Sequence, residues 1–297
     1  MTLIIGQLAA LSAALFWALA TLLYNRSSLH LSAAQLNLVK GVVACPLLIA
    51  ALVVFGLGFE LDIASPALWL LLLSGVIGIT IGDTCYFSAL RRLGPSHTIL
   101  LEYLAPPFAA ILAWFFLHER LSLLEIIAGF TVIAGVIFVL SEKRMQSTAT
   151  RISRPGLAFG VGAAWCQAVG LVMAFHALQA FEINALQAAL VRLGGGTLAL
   201  TIALLVFAPK LLLSTKQALA KTRLLPLFVA IFLGTFMAIG LQQLAIAYVT
   251  PGIAQTLLAT APLFMLVIGF IQGKAVSMRA LVGTSLALVG IGLLFIR

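Results

Sequence analysis

Long apolar runs separated by short polar connections make up almost the whole chain. They lie near residues 3–24, 33–57, 66–90, 96–117 and 121–141, then 156–180, 184–208, 223–247, 252–272 and 276–296. A helix rises 1.5 Å per residue, so a hydrocarbon core about 30 Å thick requires about 20 apolar residues per crossing. Each run is of that size. In lipid every backbone N–H and C=O must be satisfied within the protein, which makes runs of this kind helices. The pattern predicts ten transmembrane helices, with only Glu142 to Pro155 and Lys210 to Arg223 polar enough to be linkers.

Two halves of this pattern are related. A shift of 156 residues lays Pro95 on Pro251, Gly78 on Gly234, Ala89 on Ala245 and Leu101 on Leu257. The same shift lays Ala105, Pro106 and Phe108 on Ala261, Pro262 and Phe264, while Trp17 and Trp165 correspond across a gap. The expected division is residues 1–141 for the first five helices, 142–155 for a linker and 156–297 for the second five. Five is odd, so the second set enters the membrane from the opposite side. The expected fold is therefore an all-α integral membrane protein of ten transmembrane helices in two inverted five-helix repeats. That arrangement supports alternating access in many carriers, although duplication can also simply enlarge a bundle.

Composition narrows the class further. Of the 297 residues, 63% are hydrophobic and 8% charged, with a mean hydropathy of +1.20, against about 25% charged in soluble domains. The net charge of +9 would suggest nucleic acid in a soluble protein. Here the basic residues fall between apolar runs, where they orient helices and meet anionic lipid headgroups. Cys45, Cys85 and Cys166 lie inside apolar runs without metal or disulfide spacing. The run from Leu3 to Leu23 lacks a basic n-region and a small-residue cleavage site, so it is read as a first span. No HExxH, GxSxG or P-loop pattern occurs, so neither an enzyme nor a nucleotide-driven pump is supported, and no cofactor or metal is expected.

Several motifs then resemble one family. Ala89-Leu90-Arg91-Arg92-Leu93 closes the third span, Pro106 lies in the fourth, Glu119-Arg120-Leu121 joins the fourth and fifth, and Gly129 and Gly135 mark a glycine-rich fifth. A basic residue early in the second span, Lys40, has Arg192 as its counterpart. Together with the repeat, these resemble the EamA family of the drug/metabolite transporter superfamily over essentially the whole chain. Two positions depart: His118 stands where the family usually has Gly, and Gln272-Gly273-Lys274 lacks the second-copy Glu. The resemblance implies a multi-pass protein of the cell membrane that exports or exchanges a small-molecule solute such as an amino acid, metabolite, nucleotide sugar or drug. The alternative on the same scaffold is a lipid or isoprenoid-phosphate flippase. Membrane lipids, a solute and protons are the expected partners, nucleic acid is not, and a monomer suffices.

Ionisable groups in mid-membrane cost about 2.5 to 3.5 kcal/mol on insertion scales, so each needs a partner, a wet cavity or a function. Call the face holding the loop after the first span side B and the opposite face side A. Lys40, Asp83 and Glu102 all lie about 9 to 11 Å deep from side B and can meet as a charge cluster. Two carboxylates and one ammonium leave one excess negative charge, which a bound proton would neutralise. A structural triad that fixes helix packing is the equal alternative. The 156-residue shift puts Ile239 opposite Asp83 and Leu258 opposite Glu102, so the second half lacks the acids. Arg192, about 12 Å from side A, sits near Gln242, Gln243, Gln255 and Thr256 in depth. An unpaired guanidinium among amides suits a carboxylate or phosphate. Snorkelling to side A, or pairing with Glu182, competes with that reading.

Trp17, Trp165, Gln167 and Tyr86 are candidates for a cavity wall, with ordinary packing the commoner fate of any one aromatic. Pro106 and Pro262, placed equivalently by the repeat, are candidate hinges because each frees a backbone carbonyl. Orientation is read in two ways. Side B carries thirteen Lys and Arg residues against Arg120 and Arg297 on side A. The positive-inside rule thus puts side B in the cytoplasm and both termini outside, whereas the family resemblance implies termini inside.

Overall fold

The computed structural model describes residues 2–27, 29–58, 65–117, 123–140, 153–181, 183–249, 254, 257–273 and 277–294. Among them every regular element is a helix. Six helical segments are long and apolar enough to cross a membrane: Leu3–Ser27, Ala33–Val54, Pro66–Leu93, Arg154–Leu178, Ala185–Phe207 and Leu224–Tyr248. Shorter apolar helices span Ile126–Val139, Ala261–Ile271 and Met278–Leu293.

In chain order, α1 covers Thr2–Ser27 and α2 Ala33–Val54. Ser32 starts α2 with a reciprocal cap: its hydroxyl accepts from the Gln35 backbone N–H (3.3 Å), and the Gln35 side-chain oxygen accepts from the Ser32 N–H (2.9 Å). The third span is continuous but not uniform. It opens as α3 (Pro66–Gly75), widens to a π-helical stretch at Val76–Asp83, and resumes as α4 (Thr84–Leu93). Gly94, with φ of 76°, ends it, a conformation that costs glycine nothing.

The fourth span begins as α5 (Pro95–Leu101), tightens to a 3-10 turn at Glu102–Leu104, and continues as α6 (Ala105–Leu117). Pro106 explains the tightening. It has no N–H to offer the Glu102 carbonyl four residues back, and the Ala105 N–H takes that role instead. The remaining helices are α7 (Leu123–Leu140), α8 (Arg154–Phe181), α9 (Ala185–Phe207, capped by the Asn184 side chain), α10 (Pro209–Ala220) and α11 (Leu224–Ile231). A second π-helical stretch, Phe232–Met237, leads into α12 (Ala238–Tyr248), followed by α13 (Ala261–Ile271) and α14 (Met278–Leu294).

One expected linker contains a helix. α10 occupies most of Lys210 to Arg223, with Pro209 in its first turn. Leu211 and Leu212 pack beside Leu38, Leu200 and Leu204, and Gln35 donates to the Leu211 carbonyl (2.9 Å) and the Ser214 hydroxyl (3.1 Å). Its apolar stripe is too narrow for span-length hydropathy, which averages over the lysines.

Helices from opposite halves of the chain pack against each other. α7 lies along α14 in the most extensive pairing, α1 lies along α12, α8 along the first π stretch and α4, and α2 along α9. Close approach sets two of these contacts. A Cβ on Gly75 would stand 2.1 Å from the Arg192 carbonyl oxygen, and one on Gly135 would stand 2.6 Å from that of Gly283, so only glycine fits. Ser74 also donates across the interface to the Gly170 carbonyl (2.6 Å).

The two π stretches begin at positions related by the same 156-residue shift that relates the halves. A π turn loosens the backbone ladder, and here polar side chains complete it. Asn37 donates to the Ile79 carbonyl (2.8 Å) and to the Thr84 hydroxyl (2.9 Å), and Thr80 donates to the Gly196 carbonyl (2.6 Å). In the second stretch the Thr235 hydroxyl shares a 2.7 Å hydrogen bond with Tyr24 of α1.

Candidate functional site

A cavity of roughly 1020 Å³, counted with its opening, lies where α1, α4, α6, α8, α9, α12 and both π stretches converge. Its walls are mostly small and apolar, including Ala13, Ala163, Ile239 and Leu258. Its polar groups are few and each is held differently.

On one wall, Trp17 of α1 points its indole N–H at Glu102, at 3.0 and 2.9 Å from the two carboxylate oxygens. The Trp17 ring lies 5.1 Å from that of Tyr86. Thr21, one turn after Trp17, donates to the Trp17 carbonyl (2.9 Å), so the 2.6 Å contact with Tyr86 has the phenol as donor. Tyr86 is thereby fixed edge-inward without any charge. Asp83, the last residue of the first π stretch, forms an ion pair with Lys40 of α2. Lys40 is 1% exposed and stands over the Phe87 ring, 5.4 Å from its centroid, behind Asp83 rather than on the cavity wall.

The expected three-residue cluster is thus divided. Lys40 and Asp83 meet, whereas Glu102 is bonded to Trp17. Depth along a helix gives no azimuth, and the 3-10 turn at Glu102 alters its azimuth relative to an unbroken α-helix.

Across the cavity, Arg192 of α9 is 3% exposed and lines the wall with Gln167 of α8 and Gln242 of α12. Its guanidinium runs beside Gly78, where an added Cβ would stand 3.4 Å from the nearer Nη. Among the described residues no carboxylate lies within ion-pair distance of it, and its Nε has no hydrogen-bond partner. The side chain therefore faces inward and does not snorkel. Glu182, its alternative partner, lies outside the described residues.

Other candidates are placed elsewhere. Trp165 is 40% exposed and packs edge-on against Phe108 at 5.1 Å. Gln243 is fully buried off the cavity, with neither amide atom partnered among the described residues. Pro106 lines the cavity; Pro262 lines a separate, smaller pocket with Ser96 and Thr284. Gln255 lies outside the described residues. Among the described residues no group of three or more His, Cys, Asp or Glu is placed to hold a metal. The sequence reading missed Asn37 and Thr21. Each had a signal, because Asn37 precedes Lys40 by three residues and Thr21 follows Trp17 by four, the spacings that share a helical face.

Comparison with known proteins fits this picture. The profile of the EamA-like transporter family matches residues 4–141 and again 154–296. Twenty-five chains of solved structures match the fold. One, a crystal structure of a protein 16% identical in sequence, aligns over 98% of this chain and 96% of its own with a TM-score of 0.68, which speaks to fold alone. No curated protein matches at a significant level. The two profile matches together cover nearly the entire sequence, and the chain belongs to the EamA-like transporter family, a family of membrane transporters in the drug/metabolite transporter superfamily.

Proposed function

We propose that the protein is a secondary carrier of ten transmembrane helices, built as two inverted sets of five, that moves a small polar or amphipathic solute by alternating access. The observation that supports this most directly is the composition of the cavity wall. Trp17, Asp83, Tyr86, Glu102 and Pro106 come from the first matched segment, while Gln167, Arg192, Gln242 and Leu258 come from the second. A site shared by both halves changes its access whenever one half rocks against the other.

Arg192 is the residue on which solute binding rests. A guanidinium without a protein carboxylate, flanked by two amides in a mostly apolar cavity, offers bidentate hydrogen bonds to a carboxylate or phosphate. Export or exchange across the cell membrane is the expected mode. Counterflow in proteoliposomes tests the proposal: preloaded solute should accelerate entry of its labelled form in wild type, and Arg192→Gln, eluting as a monodisperse protein, should not support counterflow. Normal counterflow by that variant would refute the role of Arg192. Movement of lipid between leaflets, without uptake of any water-soluble solute, would favour the flippase reading.

A further inference from the structure

Resting on that carrier reading, we propose that the solute is dipolar: a compact molecule with an ammonium group at one end and a carboxylate or phosphate at the other, the ammonium seated at Glu102 and the anion at Arg192. Four charged side chains lie at or just behind the cavity wall. Lys40 and Asp83 neutralise each other directly. Glu102 and Arg192 do not: among the described residues Glu102 has only the indole N–H of Trp17 and no cation, and Arg192 has no carboxylate. Both line the same cavity, Glu102 from the α5–α6 span and Arg192 from α9. The site is neutral in sum but holds one unsatisfied charge of each sign.

That pattern selects among solutes. A lone anion would satisfy Arg192 and leave Glu102 as an uncompensated charge out of water; a lone cation would do the reverse. A dipolar solute satisfies both and adds no net charge. The surroundings of Glu102 favour an ammonium for a second reason. The Trp17 and Tyr86 rings, 5.1 Å apart, border the carboxylate, and aromatic faces attract cations within about 6 Å. On the Arg192 side the neighbours are the amides Gln167 and Gln242, which can donate to an anion. Aromatic and amide groups are thus sorted by the charge beside them.

The experiment is a binding titration of the purified full-length protein in lipid nanodiscs, with three probe types. These are straight-chain ω-amino carboxylates of two to six carbons, the carboxylates lacking the amine, and the amines lacking the carboxylate. At the best chain length the dipolar probe should bind about 10- to 100-fold more tightly than either monofunctional probe, the range of one charge-assisted interaction. Glu102→Gln keeps an acceptor for the Trp17 N–H and should erase the advantage over the simple carboxylate while leaving carboxylate binding intact. Arg192→Gln should erase the advantage over the simple amine. If simple carboxylates bind wild type as tightly as every dipolar probe and Glu102→Gln changes nothing, the ammonium site is refuted while the anion site at Arg192 stands. If carboxylates and dipolar probes both bind Arg192→Gln as they bind wild type, the anion site falls and the dipolar proposal with it. Absence of binding by all dipolar probes to a wild-type protein that still performs counterflow also overturns the proposal.

Discussion

The two π-helical stretches make a natural comparison, since they begin at equivalent positions and both border the cavity, yet only the first carries acids nearby. Asp83 closes the first stretch, and Glu102 follows on the next span. Their counterparts under the 156-residue shift, Ile239 and Leu258, also line the cavity. Equivalent wall positions have therefore been kept in space while their charge has not. The second half contributes its own charge from another helix, Arg192 on α9. A duplicated scaffold supplies matched places around a site, and the chemistry is then distributed unequally among them.

The sharpest way to break this asymmetry is to remove one member of the paired charges. Lys40→Met leaves Asp83 without its cation in a buried setting and should cost about 3 to 5 kcal/mol, seen as a large drop in melting temperature in detergent. Lys40→Met combined with Asp83→Asn should recover most of the loss. If the single variant melts like wild type, the ion pair is not holding α2 to the first π stretch.

Next in size is the transport phenotype. Arg192→Gln should lower counterflow at least about 100-fold, the effect of losing a bidentate charged contact, with melting temperature little changed. A comparable loss of folded protein would instead make Arg192 a packing residue. A smaller effect is expected at the close helix contact. Gly75→Ala pushes a methyl into the Arg192 backbone and should destabilise by about 1 to 3 kcal/mol, whereas Gly194→Ala, with nothing near its added Cβ, should be neutral or stabilising. Equal melting temperatures for the two variants would contradict the contact.

The smallest expected signal concerns protons. An imposed pH gradient should change the rate of counterflow in wild type by a few-fold, and Glu102→Gln should be insensitive to it, because a proton and a solute ammonium would compete for one carboxylate. The same response in both proteins would leave Glu102 as a binding group without a coupling role.

Much of this was readable from the residues. Apolar runs of span length located the membrane helices, since lipid leaves the backbone no alternative. Lys40 and Asp83 were correctly set at one depth, because depth is simply residue count times rise. What residue count does not carry is direction around the helix axis. Glu102 was grouped with Lys40 on depth, yet its partner is Trp17, 85 residues earlier in the chain. Trp165, although matched to Trp17 by the repeat, packs on Phe108. The π stretches left no breaker of their own in the sequence, and α10 hid within a stretch whose lysines lowered its hydropathy. The shortfall was in azimuth and in short elements, where neither hydropathy nor periodicity has resolving power.

The π stretches also act as counted insertions. One surplus residue turns everything after it by about 100° while leaving the hydropathy profile unchanged. Tyr86 and Gln242, both downstream of such a stretch, face the cavity with that turn included. Deleting one residue between Ile79 and Ile81 would restore α-helical winding and rotate the aromatic wall away from Glu102, though every binding side chain would still be present in the sequence. The solute site is thus encoded partly as a spacing, and a family member differing by a single residue in this stretch would present another face of the same helix to its cargo.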